Sequence, residues 1–424
     1  MIARALVHSL LGRLRGGKID VVEAGARRSF GPADAELAAT VTVNDPSFWR
    51  AVARRGSRGL GESYADGAWD CDDVVALVRI AAREVSRLDR WQAPLAPLRN
   101  TIASRTRLNT RARARRHAAA HYDLGNQLFA LFLDETMTYS CAVFDTPETS
   151  LLEAQRAKLD MVCRKLELEP ADHLVEIGTG WGSLALHAAG EYGCRVTTTT
   201  LSRRQHAVAT GRVREAGLRD RVDVVLEDYR DLRGRYTKLA SIEMIEAVGW
   251  QHFETFFACC SRLLEKDGLM LLQAITIDDR AYEIEKSARS FSNEVIFPGG
   301  CLPSAAEIRR AAAEATDMRI LDMDDITAGY PLTLRHWREN WMAAAGEARR
   351  LGTDRRFIRL FEFYFAWCEG GFTERRISDV QALLAKPAYR ASRENIRREI
   401  VSSSAAGPRE ASFASASLPP GPST

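Results

Sequence analysis

Between residues 150 and 277, short apolar runs alternate with longer stretches whose apolar positions recur every three or four residues. The runs predict strands at residues 173–177, 194–200, 222–226, 239–245 and 269–275. The longer stretches predict helices at 154–166, 184–191, 203–216 and 253–264. Strands that alternate with helices in this way imply a parallel, doubly wound sheet. After residue 277 the spacing turns mostly helical and stays so to about residue 400. The first 98 residues read as mixed α/β, with a strand at 40–43 and a helix at 72–85. Gly56, Gly59, Gly61 and Gly67 fall between those two elements. No apolar strand precedes them, so they read as tight-turn glycines and not as a phosphate loop. From Ser402 the chain is rich in Ser, Ala, Pro and Gly, a composition that predicts a disordered tail.

The length of 424 residues fits two domains at ~150 residues each. A net charge of +3 singles out no polyanionic partner. The exception is local: Arg99, Arg105, Arg107, Arg111, Arg113, Arg115 and Arg116 fall in one stretch without an acid. That stretch reads either as a solvated linker or as a segment drawn to an anionic bilayer, worth ~1 kcal/mol per basic residue near the surface. It lacks the interleaved aromatics on which nucleic-acid bases would stack. Leu6, Leu10 and Leu14, spaced i, i+4 and i+8, give the first residues an apolar helical face flanked by Arg4, Arg13, Arg15 and Lys18. Such a helix either packs on its own domain or touches a membrane surface. Its basic interruptions argue against a secretory signal, and no apolar run approaches the ~18–20 residues of a membrane span. The eight cysteines form no C-x-x-C pair, which fits a reduced, cytoplasmic setting and excludes a small disulfide scaffold. His117 and His121 are spaced like zinc ligands on a helix but lack a third ligand, so no metal is expected. Trp337 and Trp341 read as helix core.

The candidate chemistry starts at Glu176-Ile177-Gly178-Thr179-Gly180-Trp181-Gly182, where a strand gives way to a helix. Gly178, Gly180 and Gly182 let a ligand approach the backbone at the carboxyl end of the sheet. Glu176 at the loop's start would repel a pyrophosphate. It suits a ligand with positive charge and ribose hydroxyls, and S-adenosylmethionine has both. Thr200, Leu201 and Ser202, with Gln205, close the second strand near the expected ribose. Asp228 and Tyr229 close the third, where a carboxylate can accept from the adenine amino group and a ring can pack on the base. A helix cap is the plainer reading of Asp228. No N-P-P-Y-type sequence follows the fourth strand, which disfavours an amino-methylating nucleic-acid enzyme. That strand ends instead in Glu243-Met244-Ile245-Glu246-Ala247-Val248-Gly249.

Five segments then point to a family. They are His121-Tyr122-Asp123-Leu124-Gly125-Asn126, Tyr139-Ser140-Cys141-Ala142, the Glu176 loop, Met244 to Gly249, and Ile296-Phe297-Pro298-Gly299-Gly300-Cys301-Leu302-Pro303. In this order and spacing they resemble the cyclopropane-fatty-acyl-phospholipid synthases, over about residues 40–395. The resemblance implies an α/β class I methyltransferase, Rossmann-like and doubly wound, with a helical lid insertion and a small N-terminal α/β lipid-associated domain. It divides the chain into 1–98, a basic linker at 99–117, the methyltransferase domain at 118–400 and a tail at 401–424. It implies methyl transfer from S-adenosylmethionine to the cis double bond of an unsaturated phospholipid acyl chain in a bilayer. A methylated alkene is a carbocation, which needs a dry site and a base beside the new methyl.

In the family that base is a bound bicarbonate ion. The resemblance maps its ligands onto Glu246, Gln273, Tyr330 and the backbones of Cys141 and Ile275. Tyr122, Tyr139 and Ser140 would line the cofactor side. Gln273 and Ala247 stand where the family usually has histidines, and Thr179 where it has a cysteine. Gln273 can hydrogen-bond an anion but cannot titrate. Plain alternatives remain: Glu246 as an ion-pair partner, Tyr330 as core, Cys141 as a small buried residue. The expected setting is peripheral, at the inner face of the membrane. The expected partners are bilayer phospholipid and, in a homodimer, a second copy of the chain, with no nucleic acid. A methylene-forming acyl methyltransferase, a lipid-binding relative without activity, and an RNA methyltransferase using the arginine run are the competing readings.

Overall fold

The computed structural model describes residues 1–92, 125–286 and 288–391. The arginine run, His117, His121, Tyr122 and the tail lie outside the described residues. The N-terminal part runs α1 (Ile2–Leu11), β1 (Lys18–Glu23), β2 (Ala26–Phe30), β3 (Ala38–Val43), α2 (Ser47–Ala65), β4 (Trp69–Cys71) and α3 (Val74–Gln92). Its four strands form a sheet in the order β2-β1-β3-β4, with β1 and β3 parallel. The strand expected at 40–43 lies within β3 and the helix at 72–85 within α3. β1 and β2 were not expected. Four of the five residues of β2 are exposed, so it leaves no alternating pattern to read.

The glycine-rich stretch is a correction. Gly59 and Gly61 lie inside α2, not in turns. A Cβ on Gly61 would sit 2.4 Å from the Phe291 ring and 2.9 Å from Phe363. The glycine is there for close approach, because the helix packs directly on two buried aromatics.

The larger part begins with α4 (Asn126–Ala130) and α5 (Leu151–Lys165). It continues through β5 (His173–Ile177), α6 (Ser183–Glu191), β6 (Arg195–Thr199), α7 (Arg203–Glu215), β7 (Val222–Val225), β8 (Tyr236–Ile242), α8 (Phe253–Leu263) and β9 (Leu264–Ile277). It ends with α9 (Asp279–Glu285), α10 (Ala305–Ala315), β10 (Arg319–Asp325), α11 (Gly329–Ala343), α12 (Ala345–Arg350), α13 (Arg355–Thr373) and β11 (Ile377–Ala385). The sheet order is β10-β11-β9-β8-β5-β6-β7. β9, β8, β5, β6 and β7 are parallel to their neighbours within that run, whereas β11 is antiparallel to both β9 and β10. The chain reverses its direction of travel across the sheet between β5 and β8. Ligands of doubly wound sheets bind at the carboxyl ends of strands flanking such a reversal.

The mostly helical reading after residue 277 missed β10 and β11. In β11, Asp379 and Gln381 are polar yet buried, which breaks any strand pattern of alternating burial. β10 is an acidic, largely exposed edge. Trp337 and Trp341 are buried as expected. The segments between β9 and β11 cover the site. α13 packs on α2, α3 and α11. Glu374 joins the two parts by accepting from Arg79 Nε and Arg83 Nε, each at 2.7 Å. One apolar cluster runs from Val7, Phe48 and Trp69 through Phe291 and Phe363 to Tyr330 and Trp337. The N-terminal part and the cover over the site therefore share a core. Burial of each such aromatic contributes about 1.5–3 kcal/mol.

Candidate active site

The loop after β5 turns through positive φ at Gly178 (+106°) and Gly182 (+89°), which side chains with a Cβ rarely adopt. The N–H groups of Gly178 and Thr179 both donate to the Thr199 carbonyl, at 3.1 and 3.0 Å. This pins the loop to the end of β6. At Gly180, nothing lies within 4 Å of the position a Cβ would take. Glu176 is buried and forms no ion pair among the described residues. Its Oε2 accepts from the Thr198 hydroxyl at 2.6 Å. Burial pushes its carboxyl up to about 8, against the pull of that bond. A cation bound beside it would restore the charged form, so the donor set fits the ammonium end of S-adenosylmethionine.

The other cofactor candidates surround the same strand ends. Ser202 caps α7 by accepting from Gln205 N at 3.2 Å, and the Thr200 hydroxyl donates to Gln205 Oε1 at 2.9 Å. Leu201 sits between them. Asp228 is engaged within its own turn. Arg230 grips both its oxygens, Nε to Oδ1 at 2.8 Å and Nη2 to Oδ2 at 2.6 Å. Its carboxylate therefore shapes its own turn, close to the capping alternative. Tyr229 packs edge-on against Phe256, with the Arg230 guanidinium 5.6 Å from its ring centre. The Tyr139 hydroxyl meets that of Tyr364 at 2.8 Å. Ser140 Oγ accepts from Lys158 Nζ at 2.5 Å.

The residues assigned to bicarbonate do come together, but around a different group. Cys141 N donates to Glu243 Oε1 at 2.7 Å, Gln273 Nε2 donates to the same oxygen at 2.8 Å, and the Tyr330 hydroxyl donates to Glu243 Oε2. The second proton of the Gln273 amide goes to Asp379 Oδ2 at 2.9 Å. Ile275 N donates to Glu246 Oε1 at 2.6 Å, while Glu246 Oε2 is buried without a partner. Every donor assigned to bicarbonate is thus already paired with a side-chain carboxylate. The ion does not fit this arrangement, because Glu243 fills the place its donors define. The reason is local. β8 ends at Ile242, three residues before its expected end, and Glu243 takes φ +48°. A left-handed conformation is costly for a residue with a Cβ and is typical of functional sites. It turns the carboxylate back into the cluster.

Burial raises the Glu243 carboxyl above the usual range, while Tyr330, the Cys141 amide and Lys158 work the other way. Burial, followed by the charge of Glu243, pushes Glu246 up to about 8. Burial, and then the charge of Glu243, raise the Asp379 carboxyl well above its usual range. The Cys141 thiol is also raised, which leaves only its backbone as a functional group.

Sequence reasoning missed Glu243, Asp379 and Lys158 as site residues. Lys158 was the one open to detection. It stands on the face of α5 that also buries Ala154, Gln155, Leu159 and Val162, and a lysine there needs acids nearby. Among the described residues no cluster of His, Cys, Asp or Glu is arranged to hold a metal.

Residues 109–382 match the mycolic acid cyclopropane synthetase family. The chain is 37% identical over 353 residues to the tuberculostearic acid methyltransferase UfaA1 of Mycobacterium tuberculosis, covering 81% of this chain and 82% of that one. It is 35% identical over 348 residues to the cyclopropane-fatty-acyl-phospholipid synthase of Escherichia coli, covering 82% and 88%. The solved cyclopropane synthase MmaA2 of M. tuberculosis superimposes with a TM-score of 0.61 at 30% identity, over 64% of this chain and 98% of that one. The cyclopropane synthase CmaA1, solved with SAH and CTAB, gives 0.60 at 29% identity, over 64% and 98%. The loop geometry, the sheet and these likenesses agree: the chain belongs to the mycolic acid cyclopropane synthetase family of S-adenosylmethionine-dependent methyltransferases.

Proposed function

We propose that this enzyme methylates the cis double bond of an unsaturated phospholipid acyl chain and closes a cyclopropane, with Glu243 as the base. The convergence of Cys141 N, Gln273 and Tyr330 on Glu243 carries this reading. S-adenosylmethionine supplies a methyl group: its C–S bond breaks as a C–C bond to the alkene forms, leaving a carbocation. Glu243 then takes a proton from the added methyl, and the freed electron pair closes the ring. The raised carboxyl of Glu243 suits the task, since a base works best with its pKa near the operating pH. Burial and the neighbouring Glu243 both favour the neutral form of Asp379. The aromatic cover, with Tyr330 stacked on Phe372 at 4.0 Å, excludes the water that would quench the cation.

A second reading is a methylene branch, formed when a hydride shifts to the cationic carbon before the same methyl proton leaves. It is favoured by the departure at Gln273 together with the likeness to a tuberculostearic acid methyltransferase. Gas chromatography–mass spectrometry of lipids from a host expressing the chain separates ring from branch. Glu243→Gln and Glu246→Gln test the base. We expect the first to lose about 10²–10⁴-fold in kcat and the second to retain most activity. The opposite ranking overturns the assignment.

A further inference from the structure

The first helix carries two apolar faces, and the fold uses one. Val7 is buried, and Ala3, Leu11 and Leu14 pack against the N-terminal core. Leu14, placed by its spacing in one stripe with Leu6 and Leu10, therefore belongs to the inner side. Ile2, Leu6 and Leu10, spaced by four residues, point outward with 88%, 51% and 58% of their surface exposed. Scattered exposed apolar residues need no explanation. These are not scattered: with Met1, they make up half of the eight large exposed hydrophobics among the described residues.

The helix and the residues just beyond it carry charge of one sign. Residues 1–17 contain Arg4, Arg13 and Arg15 and no acid. Arg4 is engaged by Glu23 at 2.9 Å, but Arg13 and Arg15 are exposed just beyond the helix end. Arg28, exposed on β2, reaches His8 of the same helix at 3.2 Å. An apolar stripe rimmed by arginines matches the acyl–headgroup boundary of an anionic bilayer. It matches no polyanion, which would leave the leucines uncovered.

We propose that α1 inserts Ile2, Leu6 and Leu10 into an anionic phospholipid surface, with Arg13 and Arg15 against the headgroups. The inference rests on the reading that the substrate is a bilayer acyl chain. It adds the element that brings the enzyme to that bilayer. The fold itself does not need the outward face, so changing it should leave the site intact.

The test is flotation of the full chain with vesicles of phosphatidylglycerol and phosphatidylcholine, beside a methyl-transfer assay on detergent-dispersed phospholipid. The wild type should float with these vesicles, and less at high salt. Leu6→Glu with Leu10→Glu should cut the bound fraction about tenfold and keep transfer to dispersed lipid at the wild-type rate. Arg13→Gln with Arg15→Gln should weaken binding to anionic vesicles only. The proposal falls if the leucine variant floats like the wild type, or if it changes only the oligomeric state, which would make the face an interface between copies. Failure of the substrate reading shows differently, as absent transfer to dispersed lipid with vesicle binding intact.

Discussion

Tyr330 donates its hydroxyl to Glu243 Oε2 across 87 residues of sequence. The tyrosine stands in the first turn of α11, its ring stacked on Phe372, so the donor is fixed before any substrate arrives. The bond favours the charged form of Glu243 against the burial that disfavours it.

Tyr330→Phe removes that bond and little else. The Glu243 carboxyl then rises further, and the acid limb of the pH–rate profile moves to higher pH. We expect kcat at neutral pH to fall about 10-fold, with recovery as the pH is raised. A cofactor dissociation constant equal to the wild type's would confine the effect to the base. An acid limb that stays in place would separate Tyr330 from Glu243.

Glu243→Gly removes the carboxylate and also suits the positive φ, which glycine adopts without strain. It leaves Cys141 N, one proton of Gln273 and the Tyr330 hydroxyl facing a space the size of a small planar anion. The variant should be nearly inactive alone and regain activity with added bicarbonate or formate. The wild type should be indifferent to bicarbonate over the same range. A wild-type rate that falls on bicarbonate depletion would restore the ion to the mechanism.

The parts of the fold that were legible in sequence are those where burial follows chain spacing. β5 and β6 are short runs buried on both faces and the helices after them keep a buried side, and the expected bounds fall within one or two residues of the observed ones. The cofactor loop was legible because its three glycines are demanded by backbone geometry alone. Glu243 was not. A strand that should have run to residue 245 stops early, and the turn that redirects the carboxylate is disfavoured locally and held by partners from β9 and α11. Asp379 and Gln381 hid β11 for a related reason. They are polar because they hold Gln273, and Gln381 Nε2 donates to its carbonyl oxygen at 3.1 Å. Local propensity cannot report a network assembled from five distant segments.

Glu176 makes cofactor binding depend on pH. With its carboxyl pushed up to about 8, it is largely neutral at pH 7 and charges as the pH rises. Affinity for S-adenosylhomocysteine, which keeps the ammonium group, should therefore tighten from about pH 6.5 to about pH 8.5. Glu176→Gln should bind weakly and flatten the dependence. The stability of the free protein runs the other way. A carboxyl raised in the folded state favours folding below its unfolded pKa of about 4.5, and that contribution is lost as the pH rises through about 8. Calorimetric titration and thermal melts across this range read both slopes. A wild-type affinity independent of pH would remove Glu176 from contact with the ammonium.

Gly61 tests how far the N-terminal part and the cover over the site act as one body. A Cβ there meets two aromatic rings, Phe291 from the cover and Phe363 from α13, at distances no real Cβ shows. Both rings are fully buried, so neither can swing aside. Gly61→Ala should cost about 1–3 kcal/mol of stability by overpacking. Because Phe291 precedes the Ser292–Ile296 turn on the cover, the displacement should also reach the cover. We expect a lower melting temperature together with a reduced kcat, although Gly61 is not among the residues of the Glu243 cluster. Gly190→Ala and Gly211→Ala are the controls. Both glycines lie in helices with no atom within 4 Å of the new Cβ, and both changes should stabilise by about 0.4–1 kcal/mol without touching activity. A Gly61 variant that melts early yet turns over normally would mean the two parts share a core but not the motion that shields the cation.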